Sequence, residues 1–187
     1  KEYVELDAEQ PPFGEQTAVL LHRRAEMRFA GITGDHDRLA KEGNPTAFRF
    51  AMPDIAGFDY SFSGLKTSFL YRLRDEVAAN PHFIEQNKAD LCASLQKNII
   101  DILLKKLIAA SQELEIDNIA VAGGVSANSG LRRELIAQGN SRGWQVFIPK
   151  PAFTTDNAAM IAVAGYYKYL RGYLCDISRP PFARTSI

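Results

Sequence analysis

Two periodicities alternate through the second half of this chain, and few architectures accommodate both. Leu91, Leu95, Ile99, Ile102, Leu103 and Leu107 recur at steps of three and four, the apolar stripe of a long helix reaching about residue 114. A turn at 115–118 leads to Ile119-Ala120-Val121-Ala122, a short buried strand that runs into Gly123-Gly124. A helix over 129–138, a strand over 145–148, a break at Pro149 and Pro151, and a helix over 157–170 follow. Helix alternating with strand in this way predicts an α/β domain with partly parallel strands.

The first half is less regular. Phe58, Tyr60 and Phe62 alternate with Asp59, Ser61 and Ser63, which predicts a half-buried strand ended by Gly64. Phe69, Leu70, Leu73 and Val77 predict a helix over 67–79, stopped by Asn80-Pro81. Glycines and prolines make 31–57 irregular, with one turn of helix at 38–42, and 15–29 reads as a helix after Pro11-Pro12. The tail beyond Pro180-Pro181 is expected to be irregular.

Composition excludes several classes. At 187 residues the chain is one domain or two small ones, with 46% hydrophobic residues to build a core, which argues against disorder. Cys92 and Cys175 are too few for a disulfide framework and lack metal or redox spacing. Apolar runs are broken by charge before a spanning length, so a soluble, cytoplasmic protein without membrane association is expected. The absence of Met at position 1 suggests a piece of something longer or a processed chain. The 22 basic and 22 acidic residues cancel, yet 120–187 carries 8 basic against 3 acidic side chains. That segment, with Arg132, Arg133, Arg142, Lys150, Lys168 and Arg171, is a candidate patch for nucleic-acid phosphates.

Three motifs could carry chemistry. In Val121-Ala-Gly-Gly-Val-Ser-Ala-Asn128 a buried strand opens through two glycines into a helix, where free amides and the helix dipole attract phosphate. Asn128 either contacts a ligand there or caps the helix. In Phe153-Thr-Thr-Asp-Asn-Ala-Ala-Met160, Asp156 either caps the last helix or projects into the same cleft as a metal ligand, since open α/β sheets bind ligands beyond their strands' carboxyl ends. Ser61-Phe-Ser-Gly-Leu-Lys-Thr67 is not a P-loop, because Leu65 separates Gly64 from Lys66. His22, His36 and His82 lack ligand spacing and read as surface or turn residues, and no nucleophile elbow or zinc-peptidase motif occurs.

These three motifs, in this order, together with Asp37-Arg-Leu-Ala-Lys-Glu-Gly-Asn-Pro45, resemble the C-terminal lobe of the TsaD family, the tRNA N6-adenosine threonylcarbamoyltransferases, formerly described as O-sialoglycoprotein endopeptidases or glycoproteases. The resemblance covers 37–178, leaving 1–36 as a poorly matching segment and 179–187 as a tail. It implies one lobe of a two-lobed actin-like ATPase fold, of the sugar kinase, Hsp70 and ribonuclease H-like class. It implies transfer of threonylcarbamoyl from its adenylate to N6 of adenosine 37 in tRNAs reading codons that begin with A. Carried over by position, Gly123, Gly124, Ser126 and Asn128 would form the wall for threonylcarbamoyl-AMP or ATP/ADP. Asp156 would be one ligand of an iron or zinc ion, and TsaB and TsaE type proteins would be partners.

The departures limit what carries over. The family's His-x-x-x-His motif is absent, Glu15 is only a faint echo of a substrate-binding Asp, and the length is about half the family's, so the chain alone is expected to be inactive. Competing readings are a non-catalytic nucleotide or partner-binding module, a metal-dependent glycoprotease, and a sugar kinase or ATPase of the same fold.

Overall fold

A computed structural model describes the backbone of 4–6 and 18–19, and residues 34–155 and 157–178. The chain divides into two compact units, 1–154 and 155–187. The first is built on a parallel four-stranded sheet of β1 (Val4–Leu6), β2 (Ala18–Val19), β3 (Asn118–Ala120) and β4 (Gln145–Pro149), in the order β1-β4-β3-β2. Ile119 lies opposite Val146 and Ala18, and Phe147 opposite both Ala120 and Val4. The mixed α/β class expected from the alternating periods is therefore present, with every described strand pair parallel. Strand β2 corrects the helix expected over 15–29 at its two described residues: Ala18 and Val19 complete the ladder on β3.

Helices α1 (Gly34–Ala40), α2 (Ser63–Ala79) and α4 (Ser129–Arg142) each pack on the long helix α3 (Phe83–Glu113), and α4 also packs on β4. The α3 stripe is buried as its spacing predicts, and Leu91, Leu95, Ile99, Leu103 and Leu107 join Ile119, Val121, Leu131, Leu135 and Ile148 in one core. Helix α3 begins earlier than the stripe does, and a non-helical Asn87 kinks it, the Asn87 side-chain amide donating to the Phe83 carbonyl at 2.8 Å. Helix α4 starts at the expected residue but continues to Arg142, where Gly143 takes the left-handed conformation that ends it (φ 78°).

The expected strand over 58–63 is not formed. Residues 58–62 are irregular, and α2 starts at Ser63 with Gly64 and Lys66 in its first turn, Lys66 exposed. The alternation arises because Tyr60 and Phe62 pack on the core and stack on each other, while among the described residues no neighbouring strand offers a ladder. Gly64 serves close packing, since a Cβ there would lie 2.9 Å from the Pro53 ring.

The irregular stretch 44–57 is held by one polar stripe of α3. Asp90 accepts from the Asn44 amide at 2.7 Å. Ser94 accepts from the Phe48 amide and donates to the Asn44 carbonyl, Asn98 donates to the Ala51 carbonyl, and Lys106 donates to the carbonyls of Ile55 and Gly57. Asp54 bridges Lys105 and Lys106, whose hydrogen bonds, Lys105 first, hold its carboxyl down at about 2. At Gly43 the backbone passes so close to α3 that a Cβ would lie 2.1 Å from the Ala89 carbonyl oxygen.

The second unit contains α5 (Ala158–Leu170), capped by Asn157, whose side-chain oxygen accepts from the Met160 amide at 2.9 Å. Among the described residues no helix is long and apolar enough to cross a membrane.

Candidate functional site

Because β3 and β4 run parallel, both leave the sheet at the same edge, the edge at which open α/β sheets take their ligands. From β3 the chain passes through Val121 to Gly123, whose φ of 78° and ψ of 179° belong to a region open essentially to glycine alone. A single 3-10 turn, Gly124–Ala127, then joins α4. Gly123 and Gly124 are exposed, and a Cβ on either would meet no atom within 4 Å, so the turn is open at both Cα positions.

Behind this open wall everything is fastened. Ser126 is fully buried, and its hydroxyl and amide both donate to the Gly123 carbonyl, at 2.7 and 3.0 Å. Asn128, 4% exposed, caps α4: its side-chain oxygen accepts from the Leu131 amide at 2.8 Å, while its side-chain nitrogen donates to Gln96 at 2.8 Å. Arg132 donates from Nε to the Ser126 carbonyl at 2.5 Å and from Nη2 to the Pro149 carbonyl at 2.7 Å. That guanidinium is thereby turned onto two carbonyls and drops out of the basic patch. Arg142 lies over the Trp144 ring and bonds Gln138, while Arg133 is exposed beside Glu134.

Three residues of this arrangement were not expected from sequence. Gln96 sits on the otherwise apolar face of α3, and only its polarity among buried neighbours marks it. Arg132 enters the sequence reading only as one cation of the candidate phosphate patch, not as a partner of the glycine turn. Asp37 belongs to α1, ninety-two positions from its partner Ser129, whose amide and hydroxyl donate to the Asp37 Oδ1 at 3.2 and 2.9 Å. At the beginning of α4 the Ser129 and Leu131 amides are thus already supplied with acceptors, from Asp37 and Asn128.

Asp156 and His22 lie outside the described residues. Asn157 rather than Asp156 supplies the side-chain cap of α5. Among the described residues no group of three His, Cys, Asp or Glu side chains could hold a metal ion, so the described residues do not by themselves build a metal centre. His36 is a half-buried helix residue and not a surface one. Neither of its ring nitrogens has a partner among the described residues, and burial lowers its pKa, partly opposed by the Asp37 charge. Burial raises the pKa of the Cys92 thiol, with Lys88 opposing, which is the opposite of an activated thiolate.

The profile of the family described as TsaD, tRNA N6-adenosine threonylcarbamoyltransferase, matches residues 14–163. Curated proteins of that name are similar to the chain. The one from Porphyromonas gingivalis is 61% identical over 151 residues, covering 81% of this chain and 44% of that protein. Those from Phocaeicola vulgatus and Riemerella anatipestifer are 55% and 50% identical over the same shares of each chain. The chain thus spans less than half the length of these relatives. With a match over most of its length, and with its strand, glycine turn and helix all formed, this chain belongs to the TsaD family of tRNA N6-adenosine threonylcarbamoyltransferases.

Proposed function

We propose that the chain forms part of a tRNA-modifying acyltransferase, as one lobe of an actin-like, ribonuclease H-like ATPase fold over 37–178. The whole enzyme passes a threonylcarbamoyl group from its adenylate to N6 of adenosine 37. The adenine amino group attacks the carbamoyl carbon, AMP leaves, and the amino group gives up a proton. The observation that carries this reading is the exposed Gly123–Gly124 turn at the carboxyl end of β3, in a chain matched by the family's profile.

In this reading the turn is the wall against which the adenylate lies, and the chain's contribution is positional. Ser126, Asn128, Gln96 and Arg132 hold the wall rigid from behind, so a bound adenylate meets a surface that needs no ordering. Asp156 would contribute one carboxylate to an iron or zinc ion, which when bound would orient and polarise the carbamoyl group. The other ligands are expected from the portion of the relatives that this chain does not span. tRNA as substrate, TsaB and TsaE type partners and a cytoplasmic location follow from the same reading.

Substituting Gly124→Val tests it. Gly124 has open space around its Cβ position and no left-handed φ, so the fold tolerates the change while the side chain stands where the ligand would lie. Calorimetry with AMP and ATP should show binding to the wild-type chain and at least about a tenfold loss in the variant, or about 1.4 kcal/mol. Thermal unfolding should stay unchanged. Equal affinity in both proteins would remove the turn from the nucleotide site. Phosphate release from ATP abolished by Asp156→Ala would instead favour the ATPase or sugar kinase reading.

A further inference from the structure

We propose that the outward face of α2, with the segment that crosses it, is a docking surface for the unpaired loops of an RNA. This gives a role to Ser61-Phe-Ser-Gly-Leu-Lys-Thr67, the motif that the nucleotide wall does not use. Helix α2 is divided along its length. Leu65 is fully buried and Phe69, Leu73 and Val77 pack on the core, so Lys66, Thr67, Leu70, Tyr71 and Arg74 are turned outward, and all five are exposed. Residues 60–74 contain Lys66, Arg72 and Arg74 and no Asp or Glu. A fourth cation comes from 48–51, which lies along the helix: Arg72 sits over the Phe48 ring, the Phe50 ring meets Phe69 edge-on at 5.2 Å, and the Ala51 amide donates to Ser68 at 3.1 Å. Arg49, within that segment, is exposed. Neither Arg49 nor Lys66 has an acidic partner among the described residues.

Arg74 gives Nε and Nη2 to Asp75, in an exposed pair for which a phosphate can compete. Its guanidinium also lies 4.9 Å from the centroid of the Tyr71 ring, and Tyr71 stays 57% exposed. An exposed ring beside cations, with about 12 Å of helix between Lys66 and Arg74, suits RNA whose bases are unpaired. Phosphates meet the cations and a base stacks on the ring. A duplex hides its base faces and would use the cations alone. The candidate patch over 120–187 lacks this combination, since Arg132 is turned onto two carbonyls and Arg142 onto Trp144 and Gln138. The inference rests on the tRNA reading of the chain and adds to it the surface that would hold the tRNA's loops.

The test is fluorescence anisotropy with the full 187-residue chain, using a labelled unmodified tRNA and a blunt RNA duplex with the same number of phosphates. The wild type should bind the tRNA at low salt, about tenfold tighter than the duplex. Lys66→Gln should weaken both RNAs about threefold and lower the slope of log affinity against log salt by about 0.7 to 0.9. Tyr71→Ala should weaken the tRNA about tenfold, leave the duplex within about twofold and keep the salt slope. Lys88→Gln, which removes an exposed cation of α3, should change neither RNA. Thermal unfolding should be unaltered in all three variants, since each replaced side chain is exposed. Wild-type tRNA affinity in both Lys66→Gln and Tyr71→Ala would overturn the docking face while leaving tRNA as the substrate. A wild-type chain that binds no tRNA at low salt would overturn the inference, as would equal affinity for tRNA and duplex. Tyr71→Ala abolishing a concentration-dependent self-association, with tRNA affinity unchanged, would give the face to a protein partner and overturn it as well. None of these results bears on the calorimetry of Gly124→Val, so the docking face and the nucleotide wall stand or fall separately.

Discussion

Two stretches of the first unit are held in place by opposite means. From Asn118 to Pro149 the chain is a strand, a helix and a strand, its backbone paired within its own elements and its apolar residues recurring at their periods. From 44 to 57 it has no regular element, and its backbone groups bond instead to Asp90, Ser94, Asn98 and Lys106. Those residues are spaced by four, four and eight along α3, one polar stripe about 24 Å long beside the apolar one. The lesson is that a polar stripe at helical spacing can be a set of clamps as well as a solvated face.

The comparison can be broken first on its regular side. Ile119 is fully buried in β3, and Ile119→Ala should cost about 2 to 5 kcal/mol in urea unfolding, through lost transfer energy and a cavity. A cost under 1 kcal/mol would mean that the sheet is not the stronger support. On the clamped side, Gly43→Ala forces a methyl against backbone atoms of Ala89 and Asp90 that cannot swing away. Overpacking of that kind costs about 1 to 3 kcal/mol, and an unchanged midpoint would show that the segment lifts freely from α3.

Ser94→Ala sharpens the point at a single clamp. It leaves the Phe48 amide and the Asn44 carbonyl without the buried hydroxyl that serves both, at about 1 to 3 kcal/mol. Hydrogen exchange should quicken at Phe48 and stay unchanged at Val146. The smallest effect concerns pH. His36 has its pKa lowered in the folded state, so the unfolded chain takes the proton first, and stability falls as pH drops through the ordinary value of 6.5. His36→Gln should flatten that slope. Asp54 acts in a separate, lower window, its contribution present above 3.8 and lost as pH falls toward about 2. A His36→Gln protein with the wild-type slope near neutrality would place the titrating group elsewhere.

The same contrast explains what could be read from the residues. Helices α3 and α4 and strands β3 and β4 were legible because burial repeats at the period of the element that is buried, whereas α5, with no buried residue, was legible from the capping Asn157 and the helix formers that follow it. The strand expected at 58–63 failed because alternation reports which side chains point inward, not whether a neighbouring backbone is present to pair with. At the site, the glycine turn was legible, since a strand running into two glycines admits few other geometries. The partners of that turn were not: Gln96 lies 32 positions from Asn128 and Asp37 lies 92 from Ser129, and no local pattern encodes either distance. The helix start looked available for phosphate only because the residue that fills it comes from another helix.

The guanidinium of Arg132 reaches in two directions, to Ser126 in the glycine turn and to Pro149 at the end of β4. Its flat, rigid fork lets it act as a strut between two loops that leave neighbouring strands. Any force that shifts the exit of β4 is therefore felt at the glycine turn without passing through the sheet. Lysine in its place would retain the charge and lose the strut, so the two loops would respond separately to whatever occupies the edge between them.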